Sequence, residues 1–349
     1  MDYIELTDRE KEILKYVVQQ FILSANPVGS RNISKKHHIG LSPATIRNIM
    51  ADLEDSGLLQ HPHTSAGRIP TDKGYRMYVD QLMPHQQLSE EEKKLVESFL
   101  DNVATEPIEL LTITSSILSE LTNQLAFVTY PQLNNSILEK IQLVKLSSTR
   151  LLVVVSIISG IVRTITLEIN SQLESDKLSF IERIMNERLS GLPLNEIRKT
   201  FSERLKDYNR NELRPIIRIF IDSVNKIFSN SKTFETPIVT GASNVLKHPE
   251  FENHEKLRGI IELIESKDVI VHLLEDERTE EEKLRISIGS ENQNKNFSDY
   301  SFIIQEYSLG EARGTVGIIG PKRMQYSKII AAVVYVAESL AKELRKTSL

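Results

Sequence analysis

The sequence predicts a multidomain α+β protein. Helical periodicity with capping signals runs from the start to about Leu125, broken only by a pair of short strand-like runs near residue 60. β-branched runs separated by turn residues then fill two blocks, 125–167 and 269–319, and a strand-free stretch, 175–231, lies between them. A sheet texture interrupted by helices reads as one α/β domain carrying an inserted helical subdomain. A length of 349 residues allows two or three domains.

The elements follow in order. Thr7 and Glu10 form a capping box ahead of Ile13, Leu14, Val17, Val18, Phe21 and Ile22, and Asn26-Pro27 stops that helix. Ser30 is expected to cap a second helix running through His37, with Gly40 in the turn after it. Ser42-Pro43 opens a third helix whose buried stripe is Ile46, Ile49, Met50 and Leu53, with Gly57 at its left-handed end. Leu58–His61 and Arg68–Pro70 read as strands around a tip at 62–67, and a fourth helix runs from Asp72 to about Leu82. Residues 83–88 form a polar linker, Ser89 and Glu92 cap another helix, and a longer one follows Pro107.

Strands are expected at 125–130, 141–146, 151–158 and 161–167, as antiparallel members of one sheet, and again at 269–274, 284–288, 302–307 and 316–319. Between them, Ile181, Ile184 and Leu189, then Ile197, Phe201 and Leu205, then Ile217 to Phe228 mark three helices. A last helix carries Ile329, Val333, Leu340 and Leu344 inward. The expected division is 1–85, a linker helix 86–106, an α/β domain made of 107–172 and 234–349, and an insert 173–233.

The first module carries the sharpest chemistry. Two helices joined by a glycine turn, then a two-stranded ribbon, make a winged helix-turn-helix. That arrangement seats one helix in the DNA major groove and braces it on the phosphates. Net charge is −5 overall, yet between Asn26 and Tyr78 seven basic residues face four acidic ones, a local +3 that suits a polyanion. The outward face of the third helix offers Thr45, Arg47 and Asn48; Asn pairs bidentately with adenine and Arg with guanine. Ser42 serves chiefly as the cap. Lys35, Lys36 and Arg76 are the expected phosphate contacts. His63, Thr64, Ser65 and Arg68 are expected on the ribbon, for phosphate or minor groove.

Other signals are weaker. His37 and His38 diverge by about 100° on a helix, and His61 with His63 lacks a third ligand at usual spacing, so no metal is expected. Asn294, Lys295, Phe297 and Asp299 faintly match a nucleotide-binding motif of GAF domains, but a turn-forming loop explains them. There is no Ser-His-Asp order, HExxH, P-loop or paired carboxylate, so neither an enzyme nor a cofactor is expected. Zero cysteines exclude disulfides and thiolate chemistry. The longest apolar runs are strand-length, and an acidic start replaces a secretory leader, so the expected location is cytoplasmic, on the nucleoid when bound to DNA.

Blocks along nearly the whole chain carry a specific resemblance: GSRNISKK, LSPATIRNIMADLEDSGLL, TSAGRIPTDKGYRMYVD, TGASNVLKHPEF, IGSEN and GTVGIIGPKRMQYSKII. By these the sequence resembles the HrcA family of bacterial heat-inducible transcription repressors. The resemblance implies an N-terminal winged helix, a GAF-like domain and a helical dimerisation insert. It also implies binding of double-stranded operator DNA, an inverted repeat called CIRCE, repression of groE- and dnaK-type operons, and support from the GroEL chaperonin. An inverted repeat asks for a two-fold homodimer, and Ile217–Phe228 with the C-terminal helix is the expected contact. Two alternatives stand beside it: a repressor whose GAF-like domain senses a small ligand, and a GAF-type nucleotide-handling signalling enzyme.

Overall fold

The structure, a computed structural model, describes residues 5–36, 40–62, 67–101, 107–169, 174–208, 213–228, 236–265, 283–292 and 295–347. Capping chemistry sets the N-terminal helices. α1 (Asp8–Ser24) begins on a complete box: the Thr7 hydroxyl accepts the Glu10 amide at 3.3 Å, and the Glu10 carboxylate accepts the Thr7 amide at 2.7 Å. In α2 (Ser30–Lys36) the amides of Asn32 and Ile33 return to the Gly29 carbonyl, so Gly29 and not Ser30 stands at the cap. His37, expected to end that helix, lies outside the described residues. α3 (Pro43–Asp55) has Ser42 as its cap, accepting the Thr45 amide at 3.1 Å, and ends at Gly57 with φ +72°.

β1 (Leu59–Gln60) and β2 (Ile69–Pro70) pair antiparallel, and a bridge from Val28 to Arg68 adds a third lane to this small ribbon. α4 (Asp72–Met77), capped by Thr71, continues as a wider helical turn through Leu82. It packs against the end of α3 so closely that a Cβ on Gly74 would stand 2.1 Å from the Leu58 carbonyl oxygen. Ile13, Leu14, Val17, Val18, Ile33, Ile46, Leu53 and Leu58 form the core beneath. α5 (Glu90–Asp101) starts on the Ser89–Glu92 box, and α6 (Pro107–Thr122) follows.

The expectation of one sheet is corrected: the strands divide between two. β3 (Leu125–Val128), β7 (Ile238–Thr240), β8 (Leu284–Ile288), β9 (Tyr300–Leu309) and β10 (Ala312–Pro321) form an antiparallel sheet in the order β7-β3-β10-β9-β8. β4 (Leu138–Lys145), β5 (Arg150–Ile157) and β6 (Val162–Glu168) form a separate three-stranded meander. The reason is edge occupancy. β3 already pairs β10 on one side and β7 on the other, which leaves β4 no ladder on its chain neighbour. The strand expected at 269–274 falls outside the described residues.

Alternation splits the larger sheet's two faces. Ala126, Val128, Ile303 and Ile318 belong to the core shared with α6 and the C-terminal α13 (Tyr326–Thr347). Leu125, Phe127, Phe302 and Ile304 meet Val245, Phe251 and Ile260, carried by the short α11 (Ala242–Val245), a 3₁₀ turn and α12 (His254–Glu265). The meander is backed by α7 (Ser175–Leu189), whose Asn186 accepts the Ile141 amide at 2.7 Å and donates to its carbonyl at 2.8 Å. That side chain occupies the open edge of β4, as edge strands require. α8 (Leu194–Arg204), α9 (Arg214–Asp222) and α10 (Val224–Phe228) complete the unit between β3 and β7. The boundary expected at 172/173 falls inside this unit, between β6 and α7.

Most side chains of the expected dimer contact turn inward. Ile217, Phe220, Ile227 and Phe228 are buried within the same chain, with Phe228 against Phe201 at 5.7 Å between ring centroids. On α13, Ile329, Val333, Leu340 and Leu344 are likewise buried in the chain's own core. Helical periodicity says that a face is covered, not by which molecule. Phe297 of the faint nucleotide motif is core, packed edge-on against Phe302.

Candidate nucleic-acid interface

The α3 stripe sorts itself by periodicity. Ile46, Met50 and Leu53 are buried, so Ser42, Thr45, Arg47 and Asn48 emerge on the exposed side. Ser42 and Thr45 hydroxyls lie 3.0 Å apart while Ser42 also caps the helix, which fixes both at its N-terminal end. Arg47 and Asn48 follow one turn on, at the depth from which a groove-seated helix reads base edges. Lys35 is exposed on α2, the helix packed beside α3. Lys36 ends α2, and its side chain lies outside the described residues; so do His63, Thr64 and Ser65 of the ribbon tip.

Arg68 was expected on phosphate or in the minor groove; its side chain is only 13% exposed and reaches back to Glu54 on α3, Nη2 to Oε2 at 2.8 Å. His61 closes the triad: Nδ1 lies 2.6 Å from Glu54 Oε1, and its other nitrogen meets Arg68. The three residues sit on α3, β1's end and the bridge residue before β2. They tie the ribbon to α3, fixing the angle between the two. Sequence reading missed Glu54 and His61. An acid in the last turn of α3, five residues before β1 begins, was the available signal.

Arg76, expected on phosphate, has partners within the chain. Nε donates to Glu291 Oε1 at 2.8 Å, a second nitrogen meets the same carboxylate, and another donates to Asp80 at 3.1 Å. The Glu291 carboxylate raises the pKa of this guanidinium despite burial. Its neighbour Asp72 accepts Lys322 Nζ at 2.7 Å and the Ser290 amide at 2.9 Å. Burial alone would raise the Asp72 pKa, but those two donors lower it below the ordinary value. Both α4 residues therefore face the α/β domain.

Among the described residues no group of His, Asp and Glu could hold a metal ion, and no helix is long and apolar enough to cross a membrane.

Comparison with known proteins accounts for the whole chain. Residues 5–83 match the family model described as "Winged helix-turn-helix transcription repressor, HrcA DNA-binding", and residues 108–330 match "HrcA protein C terminal domain". A "Heat-inducible transcription repressor HrcA" of Chlorobium chlorochromatii is 40% identical over 346 residues, covering 99% of each chain. The protein of the same name in Acetivibrio thermocellus is 38% identical, covering 98% of this chain and 97% of its own. A crystal structure of a hypothetical protein at 2.2 Å resolution covers 98% of this chain and all of its own with a TM-score of 0.59; at 24% identity it speaks for the fold.

Proposed function

The chain belongs to the HrcA family of transcription repressors, and from that premise we propose that it binds an inverted-repeat, CIRCE-type operator as a homodimer and represses groE- and dnaK-type operons. It is a DNA-binding repressor and not an enzyme. The observation that carries the reading is the exposed Thr45, Arg47 and Asn48 face of a helix whose opposite side is core and whose wing is pinned to it by Glu54, His61 and Arg68. Such a protein works in the cytoplasm, on the nucleoid when bound.

The homodimer is supported by an unpaired apolar surface. In the meander, Ile141, Val153, Val155 and Ile165 face the helices, while Val144, Leu152, Val154 and Val162 share the opposite face by register. Val144 is 46% exposed, Val162 58% and Ile158, just beyond β5, 62%. A self-complementary contact there is isologous, as a two-fold operator requires. The topology supports a division into 1–85, the linker helix 86–106, a GAF-like domain from 107–133 and 236–347, and an insert spanning 134–228 that contributes this dimer face.

Chaperonin control follows by mass action. A long multidomain chain without disulfides to hold it depends on assisted folding for its active pool. Heat diverts a GroEL-type chaperonin to other clients, the dimer pool falls, and the operons are released.

A gel-shift titration tests the DNA reading, using a CIRCE-type inverted repeat and a scrambled duplex with Arg47→Ala and Asn48→Ala. Loss of about 1–3 kcal/mol of discrimination is expected for each base reader. Uniform weakening on both duplexes, with a shallower salt slope, demotes that residue to a phosphate contact. Reversible operator release on mild heating of a folded dimer would replace chaperonin control with direct thermal sensing.

A further inference from the structure

The recognition helix is joined to the α/β domain through an unbroken run of contacts. Its C-terminal end passes through Gly57 and Leu58 to α4: Thr71 Oγ1 donates to the Gly57 carbonyl at 2.6 Å, the Thr71 amide donates to Leu58 O at 3.1 Å, and Gly74 lies directly on Leu58. The other side of α4 is held by two loops of the α/β domain. One supplies the Ser290 amide and Glu291, the other Lys322. Gly289, at φ +57°, is needed there, because a Cβ would lie 2.4 Å from Asp72 Oδ2.

Further points of attachment lie off α4. Arg323, paired with Glu250, donates to the Ile22 carbonyl at the end of α1, and the Ser327 hydroxyl donates to the Pro84 carbonyl of the linker. Between them Tyr75 and Tyr326 are buried with ring centroids 6.0 Å apart. The blocks IGSEN and GPKRM, which DNA contact leaves without a role, are these two loops. Meanwhile Thr45, Arg47 and Asn48 stay exposed, so docking does not cover the DNA-reading face.

The geometry points to Asp72, Arg76, Glu291, Lys322 and Arg323 as positioning residues for operator recognition: they lock the winged helix to the α/β domain so that a dimer presents its two recognition helices at one fixed separation. The spacing part rests on the dimeric reading above. The locking part does not.

The test uses the full chain. Because it has no cysteine, Arg9→Cys and Glu338→Cys on exposed sites give a clean label pair. The distance distribution between labels is expected to be narrow, and to broaden in Glu291→Gln/Lys322→Gln with helix content unchanged. Lys322→Arg, which keeps the charge, is expected to retain the narrow distribution. An unchanged distribution in the double variant, with fold intact, overturns the lock. Should the double variant fail to fold, Lys322→Gln alone carries the same two outcomes.

Operator duplexes with half-sites moved apart by up to about half of the ~10.5 bp turn then read the spacing. The parent is expected to prefer one spacing by about tenfold or more. The double variant is expected to lose that preference while its affinity for a single half-site is unchanged. A folded, dimeric variant that keeps the parent's spacing profile overturns the positioning role. A parent that sediments as a monomer on operator, yet shows the narrow distribution and its broadening, leaves the lock standing and refutes the dimer instead.

Discussion

Replacing Arg68 by alanine separates two roles that a wing arginine can play. In the structure its guanidinium is 13% exposed and meets a Glu54 carboxylate that is 27% exposed, at 2.8 Å. Exposed ion pairs are worth about 0–1 kcal/mol, and breaking a fully buried one costs about 3–5 kcal/mol. This pair lies between those limits. Removal also strips the arginine stem from the surface it covers and leaves Glu54 with His61 alone. A loss of about 2 kcal/mol in unfolding free energy is therefore expected, read by urea titration of the full chain. Operator affinity should fall because the wing is loosened, but the slope of log affinity against log salt should stay put. If Arg68 instead neutralised a phosphate, stability would hold within about 0.5 kcal/mol and the salt slope would shrink by about 0.9. That second pattern would refute the strut.

Gly74→Ala should destabilise by more than about 1 kcal/mol in the same titration, although alanine ordinarily favours a helix interior by about that amount over glycine, because its Cβ would meet the Leu58 carbonyl. Ser42→Ala should cost about 1 kcal/mol through the lost cap, with the helix content of the rest unchanged by circular dichroism. The Asp72 and Glu250 pKa values lie below their ordinary 3.8 and 4.5 once Lys322 and Arg323 outweigh burial. Their contribution is thus complete above about pH 4.5 and is lost as pH falls through the lowered values. Urea midpoints should drop on acidification across that window, and Asp72→Asn should flatten part of the drop. Val162→Asp should convert dimer to monomer in sedimentation and abolish full-operator binding, while an unchanged sedimentation coefficient would move the dimer contact elsewhere.

Local signals in the chain were enough for the local structure. The capping boxes at Thr7 and Ser89, the Ser42-Pro43 start and the left-handed Gly57 all act within four residues, so sequence alone places those helix ends. The same periodicity that buries Ile46 and Leu53 exposes Arg47 and Asn48, which is why the exposed face could be named in advance. Failures came where the partner is far away in sequence. Nothing near Arg76 reveals Glu291, and nothing near Arg68 shows that its charge is spent on Glu54. Alternating strands at 138–168 look the same whether they join the main sheet or form their own, because pairing depends on which edges are already occupied.

The sequence by itself determined a winged helix-turn-helix, an α/β domain interrupted by an insert, and the residues that can face a duplex, since periodicity, caps and turns are short-range physics. Only the tertiary structure decided which arginines pair within the chain and which stay exposed, which apolar faces stay open, and that the winged helix docks on the α/β domain. Those are questions of long-range pairing, where a charge or an apolar face is settled by whichever neighbour the fold brings to it.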